Sequence, residues 1–551
     1  MSDIRTAIVN GRVLTMDPAH PRAQAVLITG NRIAAVGTTV EIAALAGPEA
    51  EVIDARGRTV LPGFIESHVH LFVAAAELNH IQLWGLKGFD QMAAAIRDFA
   101  AAHPDAPMLV GQGVSYDMLG EPITRQALDR MLPDRPFILN GADHHTAWAN
   151  TAALKAAGLL RGKTVTPGNE IVMGEDGLAT GELREVEAIS PIMALAGEER
   201  VTLGVHSGAE PETPPTEDEM AFDADILARG LEHVARFGIT SMVNMDGNRY
   251  MLEVLARLRA EGRLTARVKV PFHYRSWRTL ADLEQASEMS KDYNDEWLSC
   301  GFVKVFLDGV VESGTAAMVD DYPDRPGWKG ELIFSPKDFA ALVTESDRRG
   351  LQIAVHAIGD RAVRTVLDSV DAARAANGPR DSRHRIEHIE FLHPDDLPRL
   401  GASGIVASLQ PCNAPGAMDF PPLDPDGNIA GLRWSHAYLL RSIAETGAAQ
   451  CFSSDWPIAD VNVLRGVQAA MTRPRYPGGP DDRLSLPEVL AGYTYGGAYA
   501  THNEDRKGRL AVGYLADVIV LSDDIETVSV DQIGTLSVTR TIVDGRTVWQ
   551  A

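Results

Sequence analysis

"GFIESHVHLF", residues 63–72, sets His68 and His70 one residue apart, just after a glycine and inside an otherwise apolar run. In a strand, side chains at i and i+2 point to the same face, so the two imidazoles are presented side by side. That geometry suits two neutral nitrogen ligands on one cation. Taken alone, the pair reads more simply as two histidines hydrogen-bonded in a core. The rest of the chain decides between the readings.

Outward from this run, short apolar strands alternate with helix-period segments, which argues for βα units and a parallel sheet. Strands are predicted at 60–70, 238–245, 267–274, 301–309, 351–359, 383–391, 404–411 and 449–457. Eight strands close a (β/α)₈ barrel, whose active site is assembled at the C-terminal ends of the strands. Residues 60–73 plus 223–505 are assigned to this barrel. The stretch 74–222 is too long for one βα loop and reads as an insertion with its own structure over the barrel mouth. Its Pro-rich, acidic part, "HSGAEPETPPTEDEM" (206–220), reads as a mobile loop or solvated linker. Residues 1–59 and 506–551 share a texture of β-branched runs and Gly turns. In the first of these, "NG" and "GN" pairs suit hairpins. Together they are expected to form one small β-sandwich domain.

Histidines recur near the ends of the fifth strand (His356) and the sixth (His388), and Asp455 closes the eighth. Four imidazoles and a carboxylate from four strands converge on one end of the barrel. Nitrogen and oxygen donors of this kind suit zinc or a related divalent metal.

Composition narrows the partners. The 551 residues carry 51 Lys and Arg against 75 Asp and Glu, a net charge of −24, which repels nucleic-acid phosphates and anionic lipid surfaces. The three cysteines, Cys300, Cys412 and Cys451, have no Cys-x-x-Cys spacing, so neither a disulfide framework nor a zinc knot is encoded. A reducing cytoplasm is expected, with no leader or membrane span. A small-molecule substrate follows, and a homodimer stays open.

"LPGFIESHVHL", "VKVFLDGVVESGTAAM", "QIAVHAIGD", "RIEH" and "SSDWP" resemble, in that order, motifs of the amidohydrolase superfamily, closest to the YtcJ-like branch called amidohydrolase family 3. The resemblance implies a distorted barrel holding one or two divalent metals, with His68, His70, His356, His388 and Asp455 as ligands. It also implies that Lys304, in "FVKVF", is the lysine carboxylated by CO₂ that bridges two ions. A lysine snorkelling to a rim carboxylate such as Asp308 is the plainer alternative. "DHHTAWANTAAL" (143–154) is similar to the family's Asp-x-His-x-x-Trp-x-Asn segment, which places His145, Trp148 and Asn150 beside the substrate, with Asp143 as a helix cap. Trp277 and Trp456 are candidates to line the pocket. The implied activity is hydrolysis of a non-peptide C–N bond in an amide, N-acyl or N-formyl amine, or imide, with Asp455 as proton shuttle and His145 as a catalytic donor. An esterase or carbamate hydrolase on the same site, and a non-catalytic scaffold, are the rival readings.

Overall fold

The run 60–70 is two strands, divided at Gly63. Thr59–Pro62 pairs antiparallel with Val518–Leu521 and parallel with Arg12–Leu14, whereas Phe64–Val69 pairs parallel with Ile239–Asn244. A Cβ at position 63 would lie 2.2 Å from the Thr240 side chain, so only glycine lets the chain pass between the two sheets here. This computed structural model describes residues 5–141, 146–165, 169–427 and 429–551.

All eight predicted stretches contain strand, and their pairing is parallel. Phe64–Val69, Ile239–Asn244, Arg267–Lys269 and Leu298–Ser299 are neighbours in one sheet. Phe272–His273, Phe302–Phe306, Gln352–Ala357, Arg385–His388, Val406–Leu409 and Ala449–Phe452 follow one another in a second. The predicted strand 267–274 is thus broken between the two sheets. Pro271 sits in the break, and a proline has no N–H to give to a ladder. The two sheets remain open rather than forming one closed ring of ladders. Two backbone hydrogen bonds link the far edges: Asp455 N–H to the His68 carbonyl at 3.1 Å, and His70 N–H to the Trp456 carbonyl at 2.9 Å.

The terminal segments form two further sheets. Arg5–Val9 lies between Ala25–Thr29 and Glu51–Asp54, while both termini share a six-stranded sheet in which the C-terminal strands Val538–Val543 and Val518–Leu521 are followed by the N-terminal strands Thr59–Pro62 and Arg12–Leu14. Ile8, Val26 and Ile28 from the first and Val60, Val518 and Ile542 from the second share one core. Gly30–Asn31 joins a true hairpin, Ala25–Thr29 to Arg32–Gly37. Asn10–Gly11 does not, because it carries the chain from one sheet to the other.

Phe72–Leu203 with Pro211–Gly230 is a separate compact unit. Its six-stranded sheet is buried on both faces: Leu109, Leu139 and Trp148 face one core, their neighbours Val110, Ile138 and Ala147 the other. Helix Phe89–Ala102 covers the first through Met92 and Ile96, and helix Thr151–Ala156 the second through Ala153 and Leu154. The acidic stretch 206–220 is more ordered than its composition suggests. Glu217 opens the helix Glu217–Ala235, and the Glu210 carboxylate accepts from the Arg249 and Tyr250 N–H groups at the start of helix Arg249–Ala260.

Candidate metal centre

Parallel register brings the strand ends together. Phe306 pairs with His356 and Ala357 with His388, while the Asp455 N–H is bonded to the His68 carbonyl. The imidazoles therefore form a chain: ring centroids of His70 and His68 are 5.6 Å apart, His68 and His388 4.8 Å, His388 and His356 4.6 Å. His68, His388 and Asp455 each offer a ligand atom within 4.8 Å of the others.

The protons of this cluster are accounted for by carboxylates behind it. His68 Nδ1 is 2.7 Å from Glu387 Oε2, and His70 Nδ1 is 2.5 Å from Asp246 Oδ1. Carboxylates accept, so each ring proton sits on Nδ1 and each Nε2 keeps a lone pair. Both lone pairs face Asp455 Oδ1, at 3.3 and 3.4 Å. His68 Nε2 and Asp455 Oδ1 have no hydrogen-bond partner although both are buried. Acceptors converging on one point lack only a cation. The electrostatics show a demand for positive charge at this point. Burial opposes charge on His70, yet Asp246 and Asp455 raise its pKa to about 9, so its Nε2 lone pair becomes free when a cation takes the place of the second ring proton. Burial would likewise raise the Asp455 carboxyl, but His68 and its neighbours hold it well below the usual carboxylate range.

The other three candidates stand beside this trio. His388 gives its Nδ1 proton to Gln410 Oε1 at 2.8 Å, and Gln410 in turn donates to Ser453 Oγ. His356 Nε2 lies 3.2 Å from the Gly309 carbonyl, which fixes the proton there and leaves Nδ1 as the lone-pair atom. Burial lowers both imidazoles, His388 to about 3, so both are neutral donors at physiological pH. Lys304 is wholly buried and its Nζ has no hydrogen-bond partner, with the Phe306 ring centroid 4.7 Å away. Desolvation lowers its pKa to about 8, against the pull of Glu387 and Asp455. Snorkelling to Asp308 does not occur: that carboxylate accepts from the Ala317, Ile358 and Gly359 N–H groups instead.

The Amidohydrolase family model matches residues 51–549. The chain belongs to the amidohydrolase family. It is 28% identical over 555 residues to putative amidohydrolase YtcJ of Bacillus subtilis (strain 168), covering 98% of each chain. To N-substituted formamide deformylase of Arthrobacter pascens it is 26% identical over 550 residues, covering 98% of this chain and 97% of that one. The crystal structure of an uncharacterized metal-dependent hydrolase from Pyrococcus furiosus matches with a TM-score of 0.72 at 27% identity, over 94% of this chain and 98% of that one. The fold is therefore the α/β fold of amidohydrolases, and the family implies a divalent metal. The unsatisfied donor set around Asp455 Oδ1 fits one.

Sequence reading missed the residues behind the ligands of this amidohydrolase. Glu387 is held by Arg385 through two hydrogen bonds of 2.8 and 3.0 Å, and Arg385 also donates to the Ser67 carbonyl and Ser408 Oγ. Burial would raise Glu387, but Arg385 and His68 keep it ionised far below its normal range. The motif "RIEH" contains both residues; strand alternation, however, assigns Glu387 and His388 to opposite faces. His388 (φ 76°), Ile389 (φ 50°) and Asp455 (φ 61°) adopt left-handed backbone, which breaks alternation and turns adjacent side chains toward one site. Such conformations cost about 1–3 kcal/mol each and persist only where surroundings enforce them. Behind Asp455, Glu66 accepts from the Ser454 N–H at 2.6 Å and its hydroxyl at 3.2 Å, anchoring that turn.

The other expected contacts take these places in the structure. Trp148 is 2% exposed and packs edge-on to Tyr116 inside the separate unit. Asn150 caps helix Thr151–Ala156, accepting from Ala153 and Phe137 N–H groups and donating to the Leu132 and Arg135 carbonyls, so it has nothing left for a substrate. Trp456 stacks on His233, with centroids 5.3 Å apart, and Trp277 is exposed. His145 and Asp143 lie outside the described residues. Among the described residues, no helix is long and apolar enough to cross a membrane.

Proposed function

We propose that this protein is a metal-dependent hydrolase of non-peptide C–N bonds, acting on small N-acyl or N-formyl amines, amides or imides. The observation that carries the reading is the pair of histidine lone pairs aimed at one unsatisfied oxygen of Asp455. The full-length likeness to a formamide deformylase supports the bond type. His68, His70 and Asp455 are assigned to one divalent ion, most simply zinc, and His356 and His388 to a second. Lys304, as a carbamate, would supply an anionic ligand to the pair. The Lys304 ammonium would lose one proton, and the neutral amine would add to CO₂ and lose a second, so that an unpartnered buried cation is replaced by an anion. A bound metal lowers the pKa of water to near neutrality and polarises the carbonyl under attack. Glu387 and Asp246 hold their imidazoles in the tautomer that leaves Nε2 free. Asp455 Oδ2 accepts the proton of the attacking water and returns it to the departing nitrogen. His145 is assigned, on its motif alone, the role of hydrogen-bond donor to the substrate.

The architecture is read accordingly. The two parallel sheets, linked through His68 and Asp455, are taken as one distorted (β/α)₈ barrel over 60–73 plus 223–505. The terminal sheets are taken as a β-sandwich over 1–59 plus 506–551, and 74–222 as the insertion. Hydrolysis of N-substituted formamides, imides and aryl esters is compared before and after chelation, with bound metal measured in parallel. Chelator-sensitive release of amine confirms the proposal; faster ester than amide turnover favours the esterase, and neither metal nor turnover makes the chain a scaffold.

A further inference from the structure

Away from the histidine cluster, a second set of charges lines a narrow cavity bounded by the strand Arg267–Lys269 and by Arg506 and Lys507. Arg267 is committed: it donates to both oxygens of Asp517, to Asp544 and to the Glu296 carbonyl. The two acids of the lining are also engaged, Asp295 by Arg259 and Glu296 by Arg32. Lys269 and Lys507 are different. Among the described residues no carboxylate lies within ion-pairing distance of either ammonium; Lys507 Nζ donates to Ser241 Oγ at 3.2 Å, and Lys269 Nζ sits 5.4 Å from the centroid of the Phe302 ring. Cys300 supplies no counter-charge either, since burial pushes its thiol up to about 11. Arg506 spends Nε on Asn503.

Partial burial and neighbouring cations strain this arrangement. Lys269 is lowered to about 8 by desolvation and by Arg385, and Lys507 to about 7 by desolvation and by Arg267, Arg506 and Lys269, with only Asp517 opposing. In a chain with 24 more acids than bases, two lysines facing one cavity with neither paired to an acid is the reverse of what composition favours. The missing element is a negatively charged hydrogen-bond acceptor.

We propose that this cavity is a binding site for a small inorganic anion, held between the Lys269 and Lys507 ammonium groups with Arg506 at its edge. Halide and phosphate share the required chemistry, and the test separates them. Crystals of the whole protein are soaked in bromide or in inorganic phosphate, and the cavity is searched for an anomalous peak or tetrahedral density. In solution, labelling of Lys269 and Lys507 by a water-soluble acylating reagent is followed by peptide mass spectrometry at constant ionic strength. An anion that raises an amine pKa by one unit slows its labelling about tenfold, saturably. A site that takes both ions is a general anion site; phosphate alone makes it an oxyanion site. Lys269→Met should abolish protection of Lys507. Absence of density with both ions, or labelling indifferent to them, overturns the proposal, and because both readouts use the unmodified protein they stand even if the variant does not fold.

Discussion

His68 and Asp455 face each other across 3.3 Å as two acceptors, because the one ring proton of His68 is already donated to Glu387. Residues 387 positions apart in sequence are thus arranged so that neither satisfies the other, and in the proposed function one cation completes both. His68→Ala or Asp455→Asn should therefore lower bound metal and reduce kcat by at least about 10²-fold, since removing one preorganised group at a catalytic centre costs that much. Metal stoichiometry and kcat measured on the same preparations check this; an Asp455 variant with normal turnover removes it as the shuttle.

Metal removal should cost stability as well as activity. A ligand present at about 100 times its Kd stabilises the native state by roughly 2.7 kcal/mol. Calorimetry of chelated and reloaded protein should show a lower unfolding temperature for the stripped form, restored on adding zinc.

Glu387→Gln keeps the side-chain volume but weakens two partners at once. Arg385 loses its counter-ion in a fully buried site, which destabilises by about 3–5 kcal/mol, and His68 loses the acceptor that fixes its tautomer, which should weaken metal binding about 10–100-fold. Denaturant unfolding and metal competition measure the two effects separately. Metal affinity equal to the parent's would show that the tautomer is set elsewhere.

Lys304→Ala should lose metal and activity, with partial recovery in a short carboxylic acid that occupies the vacated bridge. Carbon-13 NMR of protein loaded with labelled bicarbonate should show a carbamate resonance in the parent and none in the variant. A fully metallated parent without that resonance would rule the carbamate out.

Asp347 provides a pH test remote from the metal centre. The His384 imidazole, Ser382, Asn377 and Arg380 all reach its carboxylate, and that hydrogen bonding outweighs burial to hold it far below its ordinary 3.8. A depressed carboxyl stabilises the fold above its unfolded pKa and loses that contribution as pH falls below about 4. Asp347→Asn should accordingly lower the unfolding temperature at pH 7, with the gap to the parent closing in acid. A gap independent of pH would assign the loss to packing.

Much of the candidate site was legible because its candidate ligands obey local rules. His68 and His70 share a strand face through period two, and His356, His388 and Lys304 fall on strands recognisable by apolar runs between helical segments. The same rules predicted eight stretches, each of which contains strand. What only the tertiary structure decided is where each proton resides. Glu387 meets His68 across 319 residues and Asp246 meets His70 across 176, contacts set by strand order and register. The left-handed turns at His388 and Asp455 break the alternation on which sequence reading depends. Asn150 and Trp148, sequence neighbours of a candidate catalytic histidine, proved to be a helix cap and a core ring for the same reason. A motif names residue types, whereas burial and hydrogen-bond satisfaction are properties of the folded neighbourhood, and these determine which side chains are left free to bind.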